Sequence, residues 1–220
     1  MAINTDKNVY TVAFAAVMVV VVGAVLAFVA SSLSAKISQN EKLEKQQNIL
    51  YAMGINENVD EGSVNFVPTD KVAEEFNKYI TEQIVIEGSE ITEDDEAYLI
   101  NLKQQETAAK NGKTRKLPLF IGEKEGKKFY IIPMYGKGLW DAIWGFVSLD
   151  ENLIVQGVYF DHKGETPVAK GNNDPINNTK DDNEVDALAG ATITGNGVSD
   201  MIKESVNLYK SYLETIRAKN

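Results

Sequence analysis

The chain begins with a long apolar run that contains no charged residue. No Asp, Glu, Lys or Arg lies between Lys7 and Lys36, and residues 9–30 read VYTVAFAAVMVVVVGAVLAFVA. At about 1.5 Å per residue in a helix, such a run covers the roughly 30 Å hydrocarbon core of a bilayer. We therefore predict a transmembrane helix over residues 9–33, after a short tail of residues 1–8.

A cleaved signal peptide is the alternative interpretation, because Ser32, Ser34 and Ala35 are small residues at the end of the run. The apolar region of a signal peptide usually has about 7–15 residues, and this one is longer. The length favours a retained membrane anchor.

The next part of the chain is polar and has few apolar residues. We interpret residues 34–66 as a stalk or linker with helix-forming composition. Beyond Pro68, Thr69 or Asp70 is placed to cap a helix, and residues 97–110 form a second candidate helix. The apolar face of the first helix would hold Val72, Phe76, Tyr79, Ile80 and Ile84.

From Leu117 onward the pattern becomes typical of strands. Residues 117–136 read as two strands joined at Glu125-Gly126, and two more strands cover residues 143–149 and 153–160. An antiparallel meander of this kind, followed by a long helix, predicts an α+β domain with helices packed on one face or end of the sheet. The predicted domain covers residues 67–220.

The last helix is predicted to begin near Gly197, because apolar residues then recur at steps of three and four. They are Val198, Met201, Ile202, Val206, Tyr209, Tyr212, Leu213 and Ile216.

Composition excludes several classes of function. The 220 residues carry a formal charge of −10, with an acidic run at residues 87–96, which argues against nucleic acid or anionic lipid as a main partner. There is no cysteine and only one histidine, so no Cys/His metal cluster and no Ser/His/Asp triad can be assembled. We predict no metal site.

Residues 185–197, VDALAGATITGNG, place hydroxyl groups among small residues just before the predicted helix. The unpaired N–H groups and the positive dipole end of a helix attract an anion such as phosphate. Thr192 and Thr194 both lie within reach of such a group. The alternative is that Thr194, Asn196 or Ser199 only caps the helix.

A second candidate feature is the sequence YGKGLWDAIWG at residues 135–145. Leu139 and Trp140 could form a wall for a planar ring, and Gly138 would let the ring approach the backbone. The alternative is that Trp140 and Trp144 simply fill the core.

Residues 161–167, DHKGETP, form a third candidate loop. His162 and Glu165 could act as an acid/base pair, although a histidine in such a loop is more often a surface or locally hydrogen-bonded residue. Thr166, in a Thr-Pro turn, could offer its hydroxyl and backbone donors to a polar ring edge.

The small-residue loop also resembles the flavinylation motif of proteins that carry FMN as a phosphoester on a threonine. Asp186, Gly190, Ala191 and Thr192 fit the motif, whereas Ala189 stands where it usually has Ser or Thr. The resemblance implies that FMN is attached to Thr192. An unactivated hydroxyl is a poor nucleophile and no base is evident nearby, so a separate flavin transferase would have to make the bond.

The anchor, GKGLWDAIWGF, HKGETP and DALAGATITGNGV follow one another in the order found in the C subunit of the Na+-translocating NADH:quinone reductase, which the whole chain resembles. The resemblance implies a periplasmic FMN-binding domain on a single helix in the bacterial inner membrane. It implies an oxidoreductase subunit that relays electrons toward quinone, with no catalytic residue beyond the flavin. One departure is that Pro167 runs into Val168, where the family usually continues with Gly-Leu-Gly and a further segment.

What the resemblance implies for individual residues follows from these motifs. Thr192 would hold the phosphate, with Gly190, Ala191, Thr194 and Asp186 around it. The ring would lie against Gly138, Leu139 and Trp140, and Thr166 would contact its polar edge. Partners would be the other membrane subunits and the flavin transferase.

The positive charges near the anchor give the opposite orientation. Lys7 and the amino terminus carry the positive charges before the anchor, and Lys36, Lys42 and Lys45 carry those after it. Because the more positive side usually stays in the cytoplasm, this count places the large domain there. Residues 8–35 contain no carboxylate that could hold Na+, so we expect this subunit to carry electrons only.

Three alternatives stay open at this point. The G subunit of Rnf-type ferredoxin:NAD electron-transport complexes has a similar anchor and attachment loop. A non-redox anchor or assembly protein would leave Thr192 unmodified, and a tethered solute-binding module would release its ligand on denaturation.

Overall fold

The computed structural model describes residues 8–59, 64–165 and 192–218, and it divides the chain into two compact units, Met1–Lys42 and Leu43–Asn220. Helix α1 (Asn8–Ala52) contains the predicted membrane-spanning run. Its most apolar 18-residue window has a mean hydropathy of 3.0 and exposes its side chains. This is the one described helix that is long and apolar enough to cross a membrane.

The second unit is built on a six-stranded antiparallel sheet with the order β2-β1-β3-β4-β5-β6. The predicted α+β class with an antiparallel sheet is confirmed. The strands are β1 (Ile80–Glu87), β2 (Glu90–Glu93), β3 (Lys116–Lys124), β4 (Lys127–Lys137), β5 (Ala142–Leu149) and β6 (Val155–His162).

Four further helices and one short 3-10 turn complete the described domain. The helices are α2 (Val72–Tyr79), α3 (Leu102–Lys110), α4 (Thr192–Leu208) and α5 (Lys210–Arg217), and the 3-10 turn covers Ala97–Leu99. The side chain of Asn101 caps α3 by accepting from the N–H of Gln104. The predicted helix over residues 97–110 is therefore two shorter pieces.

The predicted meander of β3 to β6 is confirmed, and so is its first turn. Glu125 and Gly126 both have positive φ, at 55° and 73°, which is the backbone of a tight two-residue hairpin turn. The prediction for the segment before it is wrong, because Ile80 and Ile84 lie in strand β1 and not on the face of α2. Their spacing of four fits a helix, but pairing of β1 with both β2 and β3 decides the conformation.

The sheet carries helices on both faces, which differs from the predicted packing on one face or end. Neighbouring residues of a strand alternate between two buried clusters. Phe120 and Ile131 belong to one cluster, and their neighbours Leu119 and Ile132 belong to the other. The cluster on one face includes residues of α1 and α2, and the cluster on the other includes residues of α4 and α5.

The end of α1 belongs to the folded core and not to a linker. Ile49 and Leu50 are fully buried, and they pack with Val72 and Phe76 of α2. Apolar residues spaced this sparsely in a polar helix look solvent-exposed in sequence, yet a single helical face needs only a few of them to reach a sheet. The chain divides between Lys42 and Leu43, within the predicted 34–66 linker.

Tyr209, between α4 and α5, gives a test of this packing. Its buried hydroxyl donates to the carbonyl of Pro118 at 2.8 Å, and burial raises its pKa. Tyr209→Phe leaves that carbonyl without this donor, so we expect a loss of about 1–3 kcal/mol in the free energy of unfolding. Tyr212→Phe, at a partly buried site on the same face, should change it by less than about 0.5 kcal/mol. Equal denaturant midpoints for the two variants would contradict this assignment.

Candidate functional site

The site begins at the loop between β4 and β5, residues 138–141. The N–H of Gly138 donates to the carbonyl of Asp141 at 2.9 Å, which closes the loop. The carboxylate of Asp141 then accepts from the N–H of Ala142 at 2.7 Å, where β5 begins. These bonds leave the N–H groups of residues 139–141 to be satisfied by another part of the chain.

Glu165, three residues beyond β6, satisfies them. Its Oε2 accepts from the N–H of Leu139 at 3.1 Å, and its Oε1 accepts from the N–H groups of Trp140 and Asp141 at 2.6 and 2.7 Å. The side chain is only 5% exposed. Burial alone would raise the pKa of Glu165, but these hydrogen bonds and one from Thr194 outweigh burial and lower the pKa to about 2. The group is therefore an anion at physiological pH.

The first turn of α4 supplies the fourth donor. The hydroxyl of Thr194, which is 3% exposed, donates to Oε2 of Glu165 at 2.8 Å. Glu165 thus joins two segments that lie far apart in sequence, the loop 138–141 and the start of α4. We call Glu165, the loop 138–141 and Thr194 the carboxylate clasp.

Two glycines allow these segments to come so close. A Cβ on Gly138 would lie 2.5 Å from Cδ of Glu165, so a side chain there would displace the carboxylate. A Cβ on Gly197 would lie 2.7 Å from the carbonyl oxygen of Lys137. Gly138 was predicted to admit a flavin ring, but in this structure the space beside its Cα is taken by Glu165.

The predicted start of the last helix is wrong. Helix α4 begins at Thr192, five residues before the predicted Gly197. Glycine and threonine are poor helix formers, which made residues 192–197 look like a loop. Contact of Gly197 with the end of β4 and the Thr194–Glu165 bond hold this segment in the helix. Thr192 and Thr194 therefore lie within α4 and not in a loop before it.

His162 and Lys163 support the loop that carries Glu165. The N–H of Glu165 donates to Nδ1 of His162 at 3.1 Å, and Nζ of Lys163 lies 3.8 Å from the carboxylate of Asp141. The Glu165 carboxylate is used by backbone donors, so the two residues do not form the acid/base pair considered above. His162 is locally hydrogen-bonded, as was expected of a histidine in such a loop.

Beside the clasp, two apolar side chains face solvent. Trp140 is 75% exposed and Leu139 is 44% exposed, although both backbones are held by Glu165. The alternative that Trp140 fills the core is wrong. Trp144, in β5, pairs across the sheet with Tyr135. A hydrogen-bonded backbone under an exposed aromatic side chain is suited to receive a planar ligand.

Several predicted site residues lie outside the described residues. These are Thr166, Asp186, Gly190, Ala191 and the side chain of Thr192. Within the residues described, no group of three or more His, Cys, Asp or Glu side chains could hold a metal ion. The structure brings together Gly138, Leu139, Trp140 and Thr194 with Glu165, which the sequence analysis left out of the binding site.

Comparison with known families finds a match to the FMN-binding domain over residues 138–207. The matched part begins at the clasp loop and ends near the C-terminus of α4. Among curated proteins, the C subunit of the Na(+)-translocating NADH-quinone reductase of Yersinia pestis is 25% identical, over 89% of this chain and 87% of that protein. The Vibrio alginolyticus protein of the same name is 28% identical over 90% of each.

Solved structures agree with the fold. The crystal structure of the Na(+)-translocating NADH-quinone reductase C subunit from Parabacteroides distasonis has a TM-score of 0.64 and 26% identity, covering 82% of this chain and 96% of that one. NqrC of Shewanella oneidensis matches with a TM-score of 0.60 at 20% identity, which shows the fold alone.

Proposed function

We propose that the chain, which is similar over most of its length to the C subunit of the Na(+)-translocating NADH-quinone reductase, is a membrane-anchored flavoprotein subunit of such an oxidoreductase. It relays electrons through FMN held covalently by a phosphoester on Thr192. The observation that carries the proposal is the FMN-binding match, which contains both the clasp and the start of α4.

The phosphate end of FMN is placed at the start of α4. Helix α4 contains Thr192, the last residue of the Gly190-Ala191-Thr192 sequence that resembles the flavinylation motif. A phosphodiester keeps one negative charge, and the unpaired N–H groups and dipole of the first turn stabilise that charge. Gly190, Ala191 and Asp186 remain the predicted surroundings of the phosphate, whereas the hydroxyl of Thr194, also predicted there, is donated to Glu165.

The described residues also fit the ring end. Leu139 and Trp140 offer exposed apolar surface beside the first turn of α4, to which Glu165 ties their backbone. An isoalloxazine ring has a large apolar face, and burying it against an aromatic side chain is favourable. The space beside Gly138 is taken by Glu165, and Thr166 remains the predicted contact of the polar ring edge.

The role of the chain itself is to bind and orient. When bound, FMN can accept and donate electrons singly or in pairs, and the protein supplies its position and electrostatic surroundings. Residues 8–35 contain no carboxylate, so we assign ion movement to other membrane subunits. The flavin transferase would draw FMN from an activated flavin phosphoanhydride, forming the threonine Oγ–P bond while the nucleotide part leaves with the hydroxyl proton.

Orientation is part of the proposal. We place the domain of residues 67–220 on the periplasmic side of the bacterial inner membrane, although the positive charges of Lys36, Lys42 and Lys45 favour the cytoplasmic side. These three lysines belong to α1, and Lys45 lies in the unit that carries the FMN-binding match. A reporter fused after residue 220 should be active only outside the cytoplasm. A reporter active only in the cytoplasm would contradict the placement.

Covalent flavin is tested on the full chain produced in cells that contain a flavin transferase. We expect the purified, denatured protein to stay yellow and to fluoresce as a single band in a denaturing gel. A colourless protein would indicate a non-redox anchor. Flavin or another ligand that leaves on denaturation would indicate non-covalent binding, and Thr192 would lose its role.

A further inference from the structure

The carboxylate clasp has a feature that a simple loop contact does not require. Glu165 is almost fully buried, and its four hydrogen-bond donors are three backbone N–H groups and one hydroxyl. Among the described residues, no Lys, Arg or His lies within ion-pair distance of this carboxylate. The nearby Lys163 is directed to Asp141 instead. The negative charge is thus held by the donors of the two segments that it joins.

The two joined segments carry opposite ends of the proposed flavin site. The loop 138–141 presents Leu139 and Trp140, and Thr194 is two residues after Thr192 in the first turn of α4. Each oxygen of Glu165 has at least one donor from the loop, and Oε2 accepts from both segments at once, at 3.1 Å from Leu139 N and 2.8 Å from Thr194 Oγ1. One carboxylate therefore bridges the two segments directly.

We propose that Glu165 is a positioning residue of the flavin site, which fixes the ring wall of the loop 138–141 relative to the attachment threonine on α4. The inference rests on the proposed function. Glu165 does not touch the reacting ring. It keeps the backbone under Leu139 and Trp140 rigid, so that a flavin tethered at its phosphate meets the ring wall in one orientation.

The clasp requires a negatively charged side chain of the length of Glu at position 165. Gln has the same size, but its NH2 group cannot accept from the N–H of Leu139, so at least one loop donor loses its partner. Hydrogen bonds to a charged acceptor are also stronger than those to a neutral one. Glu165→Gln therefore weakens the clasp with little change in volume. The matched control is Glu90→Gln, the same change at an exposed residue of β2 on the far edge of the sheet.

The first measurement is amide hydrogen exchange in the full chain in detergent, without flavin. We expect residues 139–141 to exchange about tenfold faster or more in E165Q than in wild type, because they lose charge-assisted bonds. E90Q should match wild type. Thr194→Val removes one donor to the same carboxylate and should give a smaller increase.

The second measurement uses the flavin-bearing chain. E165Q should lose most of the visible circular dichroism of the attached flavin and shift its midpoint potential, while the global unfolding transition remains. The T194V/E165Q double variant should lose no more of the flavin dichroism than E165Q alone, since both changes act on one contact. If E165Q does not fold, T194V is measured in its place, and its dichroism should decrease relative to E90Q.

The outcomes separate this inference from the proposed function. A flavin-bearing wild type whose E165Q variant equals E90Q in exchange, dichroism and potential overturns the inference alone. If E165Q is unfolded, a T194V variant with the same flavin dichroism as E90Q also overturns the inference. A wild-type chain with no attached flavin overturns the proposed function, and the inference with it.

Discussion

Replacing Thr192 by Ala should abolish covalent flavin completely. The proposed phosphoester needs the hydroxyl of residue 192, and alanine keeps the helix while removing the oxygen atom that would form the bond. The measurement is in-gel fluorescence of the denatured full chain, produced together with a flavin transferase. The expected signal is at background.

Ser199→Ala is the matched control for this change. Ser199 also lies on α4, and its hydroxyl donates to the carbonyl of Gly195 at 3.1 Å. Its loss should leave the fluorescence at the wild-type level. Fluorescence retained by T192A would show that the attachment residue is another one, and Thr194 would be the next hydroxyl to examine.

The second large effect is expected from the two glycines of α4, at which the same change to alanine should have opposite effects. A Cβ on Gly197 would lie 2.7 Å from the carbonyl oxygen of Lys137 and 3.4 Å from Cα of Gly138. Both neighbours are backbone atoms and cannot rotate away. Gly197→Ala must therefore push α4 from the end of β4, and overpacking of this kind costs about 1–3 kcal/mol.

Gly195→Ala is the control, because a Cβ there meets nothing within 4 Å. Alanine in place of a helical glycine should raise the free energy of unfolding by about 0.5–1 kcal/mol. Denaturant unfolding of both variants gives the comparison. Equal midpoints, or a less stable G195A, would mean that α4 does not pack on β4 through Gly197.

Sequence predicted the sheet best where alternation and turn residues agreed. Strands β3 and β4 alternate around Glu125-Gly126, and the structure gives that pair the two positive φ values that a tight hairpin needs. Strand β1 was missed because Ile80 and Ile84 continue the four-residue spacing of Val72 and Phe76. Spacing cannot distinguish a short strand from one more helical turn when the partner strand is unknown.

The ends of α1 and α4 show a different limit. Leu50 was noted only as a sparse apolar residue, yet it is fully buried, because the sheet lies under the face on which it falls. The glycines of residues 192–197 suggested a loop, yet Gly197 is helical where close contact with β4 requires it. In both places the tertiary contact overrides the local preference.

Only part of the candidate site could be predicted from sequence, because its assembly also depends on tertiary contacts. Gly138, Leu139, Trp140 and the start of α4 were singled out by residue type, and they lie together in the structure. Glu165 was considered only as an acid or base, since a single glutamate in a polar loop looks like any solvated carboxylate. Its role depends on three backbone N–H groups that come from more than 20 residues away, and no local pattern shows that.

The central claim is a single bond between FMN and Thr192. Cleavage at Lys180 and Lys203 releases residues 181–203, which contain both Thr192 and Thr194. Fragmentation mass spectrometry of this peptide, from native chain made where the flavin transferase is present, measures the bond directly. We predict a mass increased by FMN less one water, located on Thr192. An unmodified peptide would contradict the account, and FMN located on Thr194 would contradict the assignment of the residue.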